Sequence, residues 1–308
     1  MSSYFDNKEL FTGPKVNQYG SHMLMTNVSK TSKIKYVNID TKFRDEYNSN
    51  LTTDYNITLP ERVTDVLNIS VTNIEVPNTI YNISENLGNN AMKLTSSTYT
   101  GILVVPDGNY DETSLLAALN ASADNIPGDS TGRFINLTFT ALKNKIVITD
   151  AVYSHNIDFG VDSTGAFSKY NFKSRLGWLL GFRNQTYTIS ATVSKSSEFL
   201  CNLYGPRYLY LVVDEFTSNG NQKSFVAPLP SSVLSKNILA RITMDKTTYP
   251  FLSMVPANGQ NGLLLSDIRS YTGKVDIQKL NVQLVNENGI AINLNGADFS
   301  FCLQLEHE

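Results

Sequence analysis

The chain has 308 residues, enough for one large domain or two ordinary ones that each bury a core. Its charged fraction is low at 17% and its net charge is -3, which provides no bulk attraction to phosphate or anionic lipid, so nucleic acid is not an expected partner. No apolar run approaches the roughly 18 residues that a transmembrane helix needs, two cysteines are too few for a disulfide scaffold, and the charged opening MSSYFDNKELFTGPK has no apolar core of a secretory signal.

Residues 1–32 are polar, with Gly13-Pro14 and Gly20 breaking any periodicity, and read as an extended arm. From Lys33 the pattern turns to short strands. KIKYVNID (33–40) leads into the charge-dense corner DTKFRDEY, and TDYNITL (53–59) places Tyr55, Ile57 and Leu59 on one face. DVLNISVTNIEVPN (65–78) alternates through Leu67, Ile69 and Val71, then shifts register at Asn73 to Ile74 and Val76, the mark of a bulge or bend.

Between about 89 and 194 the character changes. TGILVVPDGNY (100–110) reads as a strand ending in a turn. DETSLLAALNASA (111–123) has helical spacing at Leu115, Leu116 and Leu119, with Asp111 or Thr113 as cap. RFINLTFTALKNKIVITD (133–150) reads as a hairpin with Ile135, Leu137 and Phe139 on one strand, Ile146 and Ile148 on the other, and Lys143-Asn144 near the turn. SRLGWLLGF, with the only tryptophan, reads as a short helix ending at Gly181. From Phe199 strands return at 207–216, 223–230, 237–244, 274–286 and 298–306. In the last, Phe299, Phe301, Leu303 and Leu305 face one way and Cys302 the other.

About eight strand-like runs flank the middle segment, the number in a jelly roll. The expected fold is mainly β, a single jelly-roll sandwich (33–88 and 195–308) interrupted by an inserted α+β subdomain (89–194), with two tandem jelly rolls as the alternative. Within the insert, Trp178, Leu180 and Phe182 are expected to form an apolar seam against the 133–150 hairpin and the 112–121 helix, with Gly177 and Gly181 permitting close approach.

Chemistry is sparse. His22, His155 and His307 stand in no ligand spacing and read as isolated surface histidines. There is no nucleophile elbow, phosphate loop or dinucleotide fingerprint, so neither a catalytic residue, a metal nor a cofactor is expected. Asp40, Asp45 and Glu46 are the one carboxylate group that a hydrolase would use, but an inter-strand corner with Arg44 paired to Asp40 or to a backbone carbonyl is the expected reading. Tyr204, Tyr208 and Tyr210 suit a sandwich edge or a subunit interface better than a stacking site.

Residues 36–84 resemble the opening of penton and minor capsid proteins of large double-stranded DNA viruses and virophages. The motif positions are Asp40, Thr41, Arg44 and Asp45, then Tyr55 to Pro60, then Ile74, Glu75, Val76, Pro77, Asn78 and Tyr81. VPDGNY, LLAALN and LGWLLGF in the middle segment and PRYLYLVVDEF with FVAPLP downstream extend the likeness. The resemblance implies a non-enzymatic virion protein, made in the host cytoplasm, with the five-fold penton as its place in the capsid. Its partners would be further copies of itself in a homopentamer, the major capsid protein, and, through the arm or the insert, internal capsid proteins or the host surface. The alternatives are a minor capsid or cement protein and a receptor- or carbohydrate-binding jelly roll. Pairing of Cys201 with Cys302 is left open.

Overall fold

The computed structural model describes residues 31–48, 51–129, 132–167, 172–216 and 237–308. Most of the arm and the run 223–230 lie outside them. In chain order the strands begin with β1 (Lys33–Asp40) and β2 (Asp54–Pro77). The middle segment contains β3 (Ala91–Thr95), β4 (Thr100–Val104), helix α1 (Glu112–Asp124), β5 (Leu137–Leu142), β6 (Lys145–Asp150), β7 (His155–Asp158), helix α2 (Leu176–Leu179), β8 (Thr186–Ile189) and β9 (Lys195–Ser196). The closing strands are β10 (Tyr208–Asp214), β11 (Ile238–Thr243), β12 (Met254–Asn258), β13 (Leu264–Ser266), β14 (Arg269–Val285) and β15 (Ser300–His307).

The protein is mainly β, with curled antiparallel sheets that fit a jelly-roll sandwich. Eight strands form one sheet in the order β1, β15, β2, β14, β10, β11, β13, with β12 attached to β2. The runs 53–59 and 65–78, expected as separate strands, are one 24-residue strand. β2 pairs with β14 along its first part, with β15 between Val66 and Glu75, and with β12 from Asn73 to Pro77. It bends where the ladder slips. Pro60, which lacks an N–H, is exposed within the irregular stretch between the Thr58 and Val63 pairings, and Asp65 adopts a φ of 57°. The shift read at Asn73 is a bulge: Cys302 faces Asn73 and Leu303 faces Val71, leaving Thr72 unopposed.

The hydrophobic interior divides into two main clusters. The first draws on residues from Ile39 to Ile80 and from Leu209 to Leu305, the inward faces of the eight strands. The second draws on residues from Ile83 to Ile189 and is enclosed by two smaller sheets, β4-β3-β7-β8 and β5-β6-β9, together with α1. Helix α1 begins where expected, with the Asp111 carboxylate accepting the Ser114 N–H at 2.8 Å and the Ser114 hydroxyl accepting the Asp111 N–H at 3.0 Å. Leu115 and Leu119 point inward, while Leu116 is only half-buried. The β5–β6 hairpin turns at Lys143 and Asn144, with φ of 53° and 60°, as a two-residue primed turn requires. Ile135 precedes the strand and is 58% exposed, contrary to its expected place on it.

Around α2 the glycines are needed sterically. A Cβ on Gly177 would lie 2.3 Å from the Phe159 ring, and one on Gly181, at φ +94°, would lie 2.2 Å from the Phe199 carbonyl oxygen. Leu180 and Phe182 are buried in the second cluster, and Phe182 stacks on Phe159 with centroids 5.1 Å apart. Trp178 departs from the expected seam. It is half-buried at the margin, edge-on to Phe172 at 5.8 Å and capped by the Arg183 guanidinium at 4.0 Å. Leu176 occupies the core position that the sequence pattern assigned to the tryptophan.

These placements predict that Phe182→Ala costs about 3–5 kcal/mol in denaturant unfolding, whereas Trp178→Ala costs under about 2. Equal losses in the two variants would contradict the marginal position of Trp178.

Candidate functional site

The corner after β1 gathers the charged residues that the sequence singled out. Asp40 accepts the Lys42 N–H at 2.9 Å and caps a single 3-10 turn over 41–43. It does not pair with Arg44. The Arg44 guanidinium, buried, donates to the carbonyls of Thr41 at 2.8 Å and Tyr47 at 3.0 Å, lies 3.3 Å from the Asp298 carboxylate, and stacks 3.9 Å over the Tyr47 ring. Thr41 completes the knot, donating from its hydroxyl to Asp298 at 2.7 Å and accepting the Phe299 N–H at 3.0 Å. Asp45 accepts both the N–H and the hydroxyl of Thr58, tying the corner to β2. Asp40 and Asp45 thus hold the chain between β1 and β2.

The far end of β2 is held in a similar way. Glu75 is exposed and accepts the Ser300 hydroxyl at 3.1 Å; Pro77 is buried and faces Met254 across the ladder. Asn78 is 2% exposed and binds the 249–253 turn three times: its N–H to the Ser253 carbonyl, its carbonyl to the Leu252 N–H, and its Nδ2 to the Tyr249 carbonyl at 2.8 Å. Its Oδ1 is buried and has no hydrogen-bond partner.

Asn78 also borders a cavity of about 460 Å³. It is lined further by Asn82, Tyr110, the stretch from Cys201 to Tyr204, Lys246 and Phe251. The Lys246 ammonium donates to the Tyr204 carbonyl at 2.5 Å, and no carboxylate lies within the 4.0 Å of an ion pair among the described residues. Burial lowers the Lys246 pKa to about 8, opposed by the field of Glu287. Burial likewise pushes the Cys201 thiol up to about 11, which leaves it an unreactive thiol at neutral pH. Both cysteines are free.

Two buried polar groups had no sequence signal. His155 is fully buried, not a surface residue, and its Nε2 lies 2.6 Å from Asp150, whose other oxygen accepts the Val152 and Tyr153 N–H groups. Near the end of β10, Arg269 contacts both Glu215 oxygens at 2.8 Å and donates to the carbonyls of Val213 and Asn237, while the Tyr271 hydroxyl donates to the same carboxylate. Glu215 and Arg269 are 54 residues apart, so spacing could not reveal their pairing, whereas Asp150 and His155 are five apart and meet because the chain turns back between β6 and β7. Among the described residues no group of three His, Cys, Asp or Glu side chains is placed to hold a metal, and no helix is long and apolar enough to cross a membrane.

No protein-family model matches the chain, and no curated protein matches it. Among solved structures it is similar to a chain in the 3.5 Å cryo-EM structure of the Sputnik virophage, at 12% identity and a TM-score of 0.40, over 89% of this chain and 98% of that one. It is also similar to the mavirus penton protein in its crystal structure, at 11% identity and a TM-score of 0.39, over 91% of this chain and 100% of that one.

The corner geometry predicts that Arg44→Met lowers unfolding free energy by about 2–4 kcal/mol, because it strands two carbonyls and the Asp298 carboxylate. Asp40→Asn, which keeps an oxygen for the Lys42 N–H, should cost under about 1 kcal/mol. Chemical denaturation of both checks the ranking; a larger loss for Asp40→Asn would contradict it.

Proposed function

We propose that the chain is a structural capsid protein, and that its place is the vertex penton, with subunits joined in a homopentamer and flanked by major capsid protein. The observation that carries the reading is the motif series from Asp40 to Asn78. It resembles the penton and minor capsid opening, and its polar members Asp40, Arg44, Asp45 and Asn78 are engaged in hydrogen bonds that shape corners and turns. Such residues serve the placement of strands, as a shell subunit needs. Its location is then the virion, after synthesis in the host cytoplasm.

In the same reading the chain is one jelly roll, 33–88 with 195–308, carrying an inserted α+β unit at 89–194. The separation of the two main cores supports a division into two units, but its junctions fall near residue 81 and between 203 and 209, since Ile83, β9, Cys201 and Leu203 go with the second core. The ends of the eight-stranded sheet support ring closure. β1 presents an outer edge with Ile34 and Tyr36 exposed at 56% and 62%, and the opposite end presents Leu265 of β13 and, in the link that follows it, Ile268, at 58% and 55%. A head-to-tail ring requires two different adhesive flanks of this kind. The arm at 1–32 is assigned to contacts with internal capsid proteins or neighbouring capsomers. A minor capsid or cement role is the second reading, in which the same flanks bind other capsid proteins.

Native mass spectrometry and light scattering of the full chain test this. The expected result is a discrete species of five times the 34.2 kDa chain mass, which shifts toward monomer on Ile34→Asp with Tyr36→Asp. A monomer at every concentration would remove the homopentamer and leave the cement role.

A further inference from the structure

The outer edge of β1 is open in a way that other strand edges are not. The Thr41 N–H bonds the Phe299 carbonyl at 3.1 Å, directly across the continued β1–β15 register, so Ile39, Val37 and Lys35 are the residues that exchange hydrogen bonds with β15. By the alternation of an antiparallel ladder, the N–H and carbonyl groups of Ile34, Tyr36 and Asn38 point the other way. Among the described residues no strand pairs with them, and their side chains are exposed. Elsewhere such edges are closed. The Asn78 bond to Ser253 puts the backbone of Pro256 on the side of β12 away from β2, where it has no N–H and its carbonyl accepts from Asn261 Nδ2. At β5 the Asn120 side chain takes both groups of Phe139, its Oδ1 accepting the N–H at 2.7 Å and its Nδ2 donating to the carbonyl at 3.0 Å. β1 has eight residues, no proline and no break in its register. Of the two lysines that guard it, Lys35 is drawn across to Glu61 of β2 at 3.0 Å.

We propose that this edge takes up residues 2–12, SSYFDNKELFT, from the arm of a neighbouring copy as an added strand. The inference rests on the self-association proposed above and names the segment that strengthens it. Thirty residues precede the described chain, which starts at Thr31, two positions before β1. The donor is a neighbour because the edge stays open within one chain, with Ile34 and Tyr36 exposed at 56% and 62%. Nor does the chain reverse at the start of β1: Ser32 still runs along β15, its hydroxyl bonded to the Glu306 carboxylate, and Ser29 to Thr31 contain no glycine, asparagine or aspartate for a tight hairpin turn. The stretch 21–29 is tethered too closely to β1 to reach another subunit, and Gly13-Pro14 and Gly20 leave only five residues between them. Residues 2–12 have a tether of 20 residues, 13–32, which spans up to about 70 Å when extended. They carry Tyr4, Phe5, Leu10 and Phe11 to cover Ile34 and Tyr36, and Asp6 and Glu9 to meet Lys33.

The test uses the full chain, a chain lacking residues 2–12, and a full-length Tyr36→Pro chain, whose arm is intact but whose edge has lost an outward N–H. Asn38→Pro replaces Tyr36→Pro if melting curves show that the latter does not fold. Native mass spectrometry should show each altered chain associating at least tenfold more weakly than the full chain. Mixed at a concentration where neither associates alone, the two should form a joint species, because the arm of one fits the edge of the other. Amide exchange resolved by residue gives an independent readout: in the associated full chain Ile34, Tyr36 and Asn38 should exchange at least tenfold more slowly than in the chain lacking 2–12, with Val37 and Ile39 alike in both. Equal association or equal exchange of those three amides in the full and shortened chains would overturn the proposal and leave self-association standing, as would the absence of a mixed species. A full chain that is monomeric at every concentration would instead remove the neighbour and defeat both readings.

Discussion

The architecture depends on one strand changing partners without exposing its apolar side chains. β2 pairs with β14, then β15, then β12, and its buried positions run Tyr55, Ile57, Leu59, Val63, then Val66, then Ile69 and Val71, then Ile74 and Val76. A regular strand alternates faces with a period of two, so a steps-of-three spacing would turn half of these residues to solvent. Each odd step coincides with an irregular stretch: the region around Asp65 and the ladder slips beyond it, and the bulge at Thr72. The irregularities let the strand curl and keep one continuous apolar surface toward the first core.

Polar residues at both ends of β2 hold that path in place. Arg44, Asp45, Thr41 and Asp298 join the start of β2 to β1 and β15, and Asn78 joins its end to the 249–253 turn. Buried Tyr55 lies between these charges and the core, and burial holds its hydroxyl protonated far above the usual tyrosine range. A protein whose work is assembly gains from such fixed corners, since the edges it offers to neighbours are only as well placed as the strands behind them.

Much of this was legible in the sequence because it is local. The 33–40 strand, a cap at Asp111 or Thr113, the hairpin turn near Lys143-Asn144, the bulge or bend beside Asn73 and the row Phe299, Phe301, Leu303, Leu305 on one face each follow from neighbouring residues. What failed depends on how the chain packs rather than on sequence spacing. Trp178 sits at the edge because Leu176, two residues earlier on the same turn, takes the inward place. Arg44 chose Asp298 over Asp40 because the fold brings β15 beside the corner. His155 found Asp150 where the chain doubles back after β6, and β12 and β13 are too short to carry a periodic signal.

The central claim, that β2 is the shared spine of the first core, is tested most directly by native-state amide hydrogen exchange resolved along the chain. The account predicts that amides of β2 from Val66 to Val76, flanked by β15 and β12, exchange slowest in the protein and in step with those of β15. Exchange in β2 as fast as in α1 or in the β5–β6 hairpin would show that the core is held together elsewhere.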